Sequence, residues 1–416
     1  MSIERVNRIV KESMPVLFAI LSAAWLAQFF LAPFSGSISD FPQYYAPVRL
    51  ICTGHGADSY KFPIASAMQK ESFPTMGERA VPTYLPPPSM FWFLPFGLMS
   101  GSQAFIVWKI VQIVSLVGSI FLLRDAWGLN RKAVCYLIAG ICASGPAFAA
   151  TQLGQISMLI LCALSTMIWA FKKDKLWVAA IALSVLMLKP QEGLPIMVFL
   201  AGAKRYKMLG MTVGVLTVQF LVIFCLIGVQ GMTEYFATTS NIDTSQSILM
   251  QSELGPTVRG QLLRLLPDSK SLITQISGII MLISWALIFF SGRKFASSPA
   301  WLGAGLLIAV PIGVLTCLHL HSYDLLLLVP SLVLVLSGPL ESIAPAWLLV
   351  GGFLLTGTFM VPLYIYIHWD HLLKEHWILN PHFFALLTMT VGFSYLAYRY
   401  PEKIQAPVKP TVEQIS

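Results

Sequence analysis

The chain has 416 residues, 56% of them hydrophobic and only 11% charged, with a formal net charge of +8. That balance excludes a protein folded around one soluble core and places most of the length in lipid, so the basic excess reads as the cytoplasmic bias of a membrane protein rather than a nucleic-acid surface. Cys135, Cys142, Cys162, Cys225 and Cys317 lie in apolar runs and Cys52 alone in a polar loop, which gives neither a disulfide framework nor a zinc spacing.

The first apolar run, near 13–34, follows Arg5, Arg8 and Lys11 as a secretory signal would. It is long and many spans follow it, so it reads as a retained signal anchor. Further charge-free or nearly charge-free runs fall near 88–123, 133–150, 155–171, 176–188, 191–203, 208–228, 272–291, 299–318, 323–337, 344–367 and 381–398. A helical crossing of a bilayer needs roughly 20 such residues. The run at 88–123 is long, and PPPSMFWFLPFGLM within it is taken as a segment that dips in without crossing. The short runs at 176–188 and 191–203 are thin tilted spans or a re-entrant pair.

This pattern predicts an all-α polytopic membrane protein of about twelve helices with both termini in the cytoplasm. The basic clusters RVNRIVK, RDAWGLNRK (124–132), KKDK (172–175), KRYK (204–207) and GRK (292–294) then share the cytoplasmic side with the tail. A single transmembrane domain covers 1–400, with extracytoplasmic loops at 35–86 and 229–271. The tail 401–416, rich in Pro and polar residues, reads as disordered. Within 229–271, SILMQSELGPTVRGQLLRLLP has the apolar spacing of a short helix lying on the membrane surface.

Polar features gather on the outer face. Asp40 ends the first span, where a carboxylate in low-dielectric surroundings can act as a general base, or can simply mark the membrane boundary. Tyr44, Tyr45 and Arg49 suit stacking on a sugar and holding a phosphate, or an interfacial aromatic belt. AVPTYLPPPSMFWFLPFGLM (80–99) suits a groove for a lipid chain, or a helix terminus. Lys189 and Glu192 fall between two apolar runs, where an ionisable group is costly; the lysine can receive a lipid phosphate, or snorkel. His319, His321, Tyr323 and Asp324 end one span and begin another, as a phosphate- or sugar-binding cluster or as a hydrated turn. His368, Asp370, His371, Glu375 and His376 have the spacing of metal ligands and equally that of a solvated amphipathic helix, so no metal is assigned. No dinucleotide or NTPase phosphate loop, nucleophile elbow or zinc-helix motif occurs, and no cofactor is expected.

The order of SDFPQYYAPVRLICTGHGADSY, YLPPPSMFWFLPFGLM, AFIVWKIVQ, GQISMLILCAL, LSVLMLKPQEGLPIMVFL and HLHSYDLLLLVP resembles the polyprenyl-phosphate-dependent glycosyltransferases of family 87, the DUF2029 group. The resemblance spans about residues 13 to 400. It implies the GT-C fold, a cell-envelope role in the plasma membrane, and an active site on the extracytoplasmic face. It also implies inverting transfer of a mannose-like hexose or pentose from a polyprenyl-phosphate donor to a glycolipid or glycan acceptor. Asp40 matches the family's catalytic base, Gln155 its "GQ" position, Lys189 its "KP" position, and His319, Tyr323 and Asp324 the late histidine and "YD" positions. Lys189, Arg49 and His319 are the expected groups for the departing phosphate. A secondary transporter, or a protein handling lipid-linked sugars without transferring them, is the alternative.

Overall fold

The computed structural model describes residues 3–31, 39–76, 80–240, 255–336 and 380–404, and every regular element among them is helical. Helix α1 (Ile3–Leu31) comes first; the helices α2 (Phe41–Cys52) and α3 (Phe62–Ser72) follow within the first loop. Next come the short helices α4 (Pro87–Met90) and α5 (Leu94–Gly97), joined by a 3-10 turn at Phe91–Phe93. The apolar run at 88–123 is therefore two structures. Prolines 86–88 and 95 break its first part into pieces of single turns, and a continuous helix, α6 (Gly101–Trp127), starts only after Ser100, whose hydroxyl caps it in a capping box.

The chain continues with α7 (Arg131–Cys142), α8 (Gly145–Leu153), α9 (Ser157–Lys172), α10 (Leu176–Leu186), α11 (Pro190–Gly202), α12 (Tyr206–Ser240), α13 (Val258–Leu265), α14 (Lys270–Phe295) and α15 (Trp301–Thr316). A 3-10 segment at Ser322–Leu328 leads into α16 (Val329–Leu336), and α17 (Pro381–Arg399) closes the described bundle. Among the described residues, three helices are long and apolar enough to cross a membrane: Gly101–Trp127, Tyr206–Ser240 and Pro267–Phe295; α7 with α8, bent by 54°, forms a fourth candidate. Several runs expected as single crossings fold into shorter helices because Gly, Ser or Pro punctuates them, as at Ser144–Pro146. The run at 344–367, the histidine-rich stretch 368–377 and the tail from 405 lie outside the described residues.

Large apolar side chains face outward from the long helices, among them Ile106, Ile110 and Phe121 of α6, Val218 and Leu221 of α12, and Ile279, Ile283 and Phe290 of α14. Helices satisfy their own backbone polar groups, so such a surface suits lipid and not water. Inside, Phe41 packs against Trp108 at 5.6 Å, and both rings are at most 1% exposed. Helices α11 and α14 approach backbone to backbone: a Cβ on Gly202 would lie 2.0 Å from the Phe289 carbonyl oxygen, and one on Gly292 would lie 2.3 Å from that of Phe199.

The basic turns cluster at one end of this bundle. Lys173 pairs with Asp125 at 2.9 Å, Arg205 stacks on Trp301 at 4.3 Å, and Phe171 meets the same indole edge-on at 4.8 Å. From that end α9, α11 and α15 run to their opposite termini at Ser157, Pro190 and Thr316. At 1.5 Å rise per residue the separation is roughly 20–24 Å.

Candidate active site

Three chain breaks meet at that far end. The first is the elbow between α8 and α9, where Gly154 takes a left-handed φ of +63°, and a Cβ there would come 2.8 Å from the Ser39 hydroxyl. Glycine thus lets the chain turn and lets residues 39–41 lie against the elbow. The Asp40 amide donates to the Leu153 carbonyl at 2.7 Å, and the Trp108 indole donates to the Gly154 carbonyl at 2.8 Å. Buried Gln112 donates to the Gln155 carbonyl at 2.9 Å, so the elbow is fixed from below by α6.

Asp40 occupies the N-cap position of α2 but makes no side-chain capping bond, and Pro42 removes one of the amides it would cap. Its carboxylate, in a residue 3% exposed, accepts instead from the Gln155 amide nitrogen, and the Gln155 amide oxygen accepts from the Tyr44 hydroxyl at 2.8 Å. Burial and the neighbouring Asp40 charge push the Tyr44 phenol well above its usual range, so it stays a proton donor to Gln155. A carboxylate serving only as a boundary charge would be solvated or would cap its helix. This one is held by a side chain from the elbow between α8 and α9.

The second break lies between α10 and α11. Lys189 there is 13% exposed at its side chain and ion-pairs with Asp324, with Glu192 at 3.8 Å and the Tyr323 ring 4.8 Å from its ammonium. The third break is the turn before the 3-10 segment at Ser322–Leu328. Asp324 accepts there from Ser157 Oγ at 2.9 Å and from the His321 amide at 3.1 Å. The His319 and His321 rings share a hydrogen bond between their Nε2 atoms of 3.1 Å. Burial first, and His319 second, lower the His321 pKa to about 3, so its ring is neutral at ordinary pH. Gln155 and Ser157 stand two residues apart, and through them one elbow holds both Asp40 and Asp324.

A cavity of about 270 Å³ joins the two groups, lined by Asp40, Tyr44, Gln155, Lys189, His319, His321, Tyr323 and Asp324. Tyr45 and Arg49 do not reach it. The Tyr45 hydroxyl donates to the Met99 carbonyl at 2.9 Å, and Arg49 donates to the Gly97 carbonyl at 3.0 Å, so both fasten α2 to the segment 94–99. The remaining wall is the extended stretch 80–86, where Gln69 bonds both the amide and the carbonyl of Val81 and Tyr60 bonds the Leu85 carbonyl at 2.6 Å. Gln43, Gln191 and Tyr235 also line the cavity; the first two lie inside the stretches SDFPQYYAPVRL and LKPQEG, and no motif in the sequence marks Tyr235. Gln43 was within reach of helical spacing, being three residues after Asp40. Among the described residues no group of three His, Cys, Asp or Glu is arranged to hold a metal ion, and the metal-like spacing at 368–376 lies outside them.

The model of glycosyltransferase family 87 matches residues 83–340 of this chain. The chain belongs to glycosyltransferase family 87. It is thus a glycosyltransferase, and the apolar helices make it a membrane-embedded one. No curated protein and no solved structure matches. In this family-87 enzyme the match takes in the Gly154 elbow, Lys189, Glu192 and the 319–324 turn, while Asp40 and α2 precede it.

Proposed function

We propose that this enzyme moves a mannose-like hexose or pentose, with inversion, from a polyprenyl-phosphate donor to a hydroxyl of a glycolipid or glycan acceptor. The reaction takes place at the extracytoplasmic face of the plasma membrane, within a GT-C-type bundle of about twelve crossings that has both termini in the cytoplasm. The observation that carries this reading is the single cavity in which a buried carboxylate, Asp40, faces the lysine, histidine and aspartate cluster brought by two other chain breaks. The basic turns support this orientation: they lie at the opposite end of α9, α11 and α15 from the cavity, and the positive-inside bias favours the cytoplasm for them. No sugar nucleotide is available outside, so the donor arrives already activated on a lipid phosphate.

In the transfer step the Asp40 carboxylate takes the proton of an acceptor hydroxyl. The acceptor oxygen bonds to the anomeric carbon from the side opposite the phosphate, and the bond from that carbon to the phosphate oxygen breaks. Both electrons of the broken bond leave with the polyprenyl phosphate. Gln155 orients Asp40 for this role, and Tyr44 orients Gln155. Lys189 supplies positive charge and His319 a hydrogen bond to the departing phosphate, with Tyr323 and Asp324 fixing Lys189.

The test is sugar transfer by the purified protein in nanodiscs, with a panel of radiolabelled polyprenyl-phosphate sugars and a membrane glycolipid extract as acceptor. Asp40→Asn, folded as judged by gel filtration, is expected to lose about a hundredfold to ten-thousandfold in rate, the usual contribution of a general base. Equal transfer by both proteins would sink the assignment of Asp40. Solute movement driven by an ion gradient, with no transfer from any donor, would favour the transporter reading.

A further inference from the structure

Helix α12 does not end where its apolar stretch ends. At Gly228 the backbone takes φ 65° and ψ −174°, a conformation essentially confined to glycine, and helix then resumes as far as Ser240. The part before the break is apolar, whereas the arm beyond it, VQGMTEYFATTS, carries Gln230, Thr233, Glu234, Thr238 and Ser240. The break therefore sits where the helix leaves lipid, and it turns a polar arm across the outer end of the bundle. A Cβ at Gly228 would meet no atom within 4 Å, so the glycine is required by the direction of the chain and not by lack of room.

What the redirected arm delivers is Tyr235, which lines the same cavity as Asp40 and Lys189. Its ring packs against Tyr60 at 5.0 Å, and Thr238 Oγ1 donates to the Tyr60 carbonyl at 3.2 Å. Tyr60 in turn holds the Leu85 carbonyl of the cavity wall. Just ahead of the break, a Cβ on Gly56 would fall 2.1 Å from the Leu226 carbonyl oxygen, so the first loop and α12 touch at the backbone. These contacts fasten the arm to the wall, yet Tyr235 remains only partly buried and keeps surface toward the cavity.

We propose that Tyr235 is a carbohydrate-contacting residue on the acceptor side of the cavity, and that the break at Gly228 is what positions it there. A pyranose presents an apolar face of C–H groups that matches an aromatic ring, while its hydroxyls need polar partners such as the Gln43 and Gln191 side chains of the same cavity. The acceptor is assigned because the arm stands on the water side, whereas the donor enters with its lipid. Sugar contact by Tyr235 stands by itself; its assignment to the acceptor rests on the transferase reading above.

The experiment photolabels the full chain in nanodiscs with alkyl hexosides bearing a diazirine on the sugar, in the manno, gluco and galacto series, and maps the labelled peptides. Wild type is expected to be labelled on residues 229–240, with Tyr235→Ala reducing that label at least about fivefold. Gly228→Ala is expected to weaken it as well, while Gly214→Ala, in the same helix and also without an atom within 4 Å of its Cβ, labels as wild type and controls for folding. With a donor and acceptor that support transfer, Tyr235→Ala and Gly228→Ala raise the acceptor KM about tenfold and move the donor KM by less than about twofold. The proposal is overturned if no probe labels the arm, if Tyr235→Ala labels undiminished, or if donor and acceptor KM rise together. A labelled arm in a protein that transfers sugar from no polyprenyl-phosphate donor would remove the proposed reaction, and with it the acceptor assignment, and leave the sugar contact in place.

Discussion

Lys189 shares one ammonium between two carboxylates, Asp324 and Glu192, whose side chains are only 2% and 1% exposed. Removing the lysine leaves both acids buried without that cation, and breaking a buried pair in this way costs about 3–5 kcal/mol. Lys189→Met is therefore expected to lower thermal stability in detergent steeply, and Lys189→Met with Asp324→Asn to recover part of the loss; a double variant no more stable than the single would show that the pair is not coupled. Individual residues were unevenly legible. Asp40 stood out because a charge appeared at once after a long uncharged run, and Lys189 because it interrupted one. Gln155 is legible only through its match to the family's "GQ" position and Ser157 not at all, since polar residues of that size are ordinary in a bend, and only the fold shows that they hold Asp40 and Asp324. The pair Tyr44 and Tyr45 illustrates the limit: neighbours on a helix point about 100° apart, so one joins the cavity while the other, with Arg49 four residues on, binds the segment beneath.

At the scale of elements, close helix packing positions the site as much as any polar contact. Helix α11 starts at the cavity with Lys189 as its N-cap and ends where Gly202 meets α14, so its seating on α14 sets where Lys189 stands. Gly292→Ala would drive a methyl group into the Phe199 carbonyl and should cost about 1–3 kcal/mol, as overpacking does. Gly278→Ala, on the same helix with no atom within 4 Å of its Cβ, should be neutral or slightly stabilising. Equal unfolding temperatures for the two variants would refute this account of the α11 and α14 contact. Periodicity and composition located most helices, but they misjudged where several end. Apolar runs continue smoothly across Ser144–Pro146 and across Pro95, so the bend of α7 into α8 and the broken helix before α6 depend on a few backbone breakers inside otherwise uniform sequence. The converse holds at Gly228, where the apolar pattern stops and the helix does not.

For the whole molecule, sidedness is the property that the function most depends on. Basic turns at one end of α9, α11 and α15 and the cavity at the other predict that Glu71→Cys, in an otherwise cysteine-free chain, reacts with an impermeant maleimide on intact cells. Lys204→Cys should react only after permeabilisation. Labelling of Lys204→Cys from outside, with Glu71→Cys reacting only after permeabilisation, would reverse the proposed orientation, and labelling of both from outside would overturn the placement of cavity and basic turns on opposite sides. Sequence alone determined that the chain is helical and embedded in lipid, because hydrocarbon penalises charge and unpaired backbone groups over every stretch of about 20 residues, and that penalty is written locally. It also supplied, through its order of motifs, the family to which the chain belongs. The tertiary structure alone decided which polar residues share a cavity. Asp40, Gln155, Lys189, Tyr235 and Asp324 lie far apart along the chain, and their meeting follows from turns at Gly154 and Gly228 and from helix packing, which are long-range outcomes that no local pattern encodes.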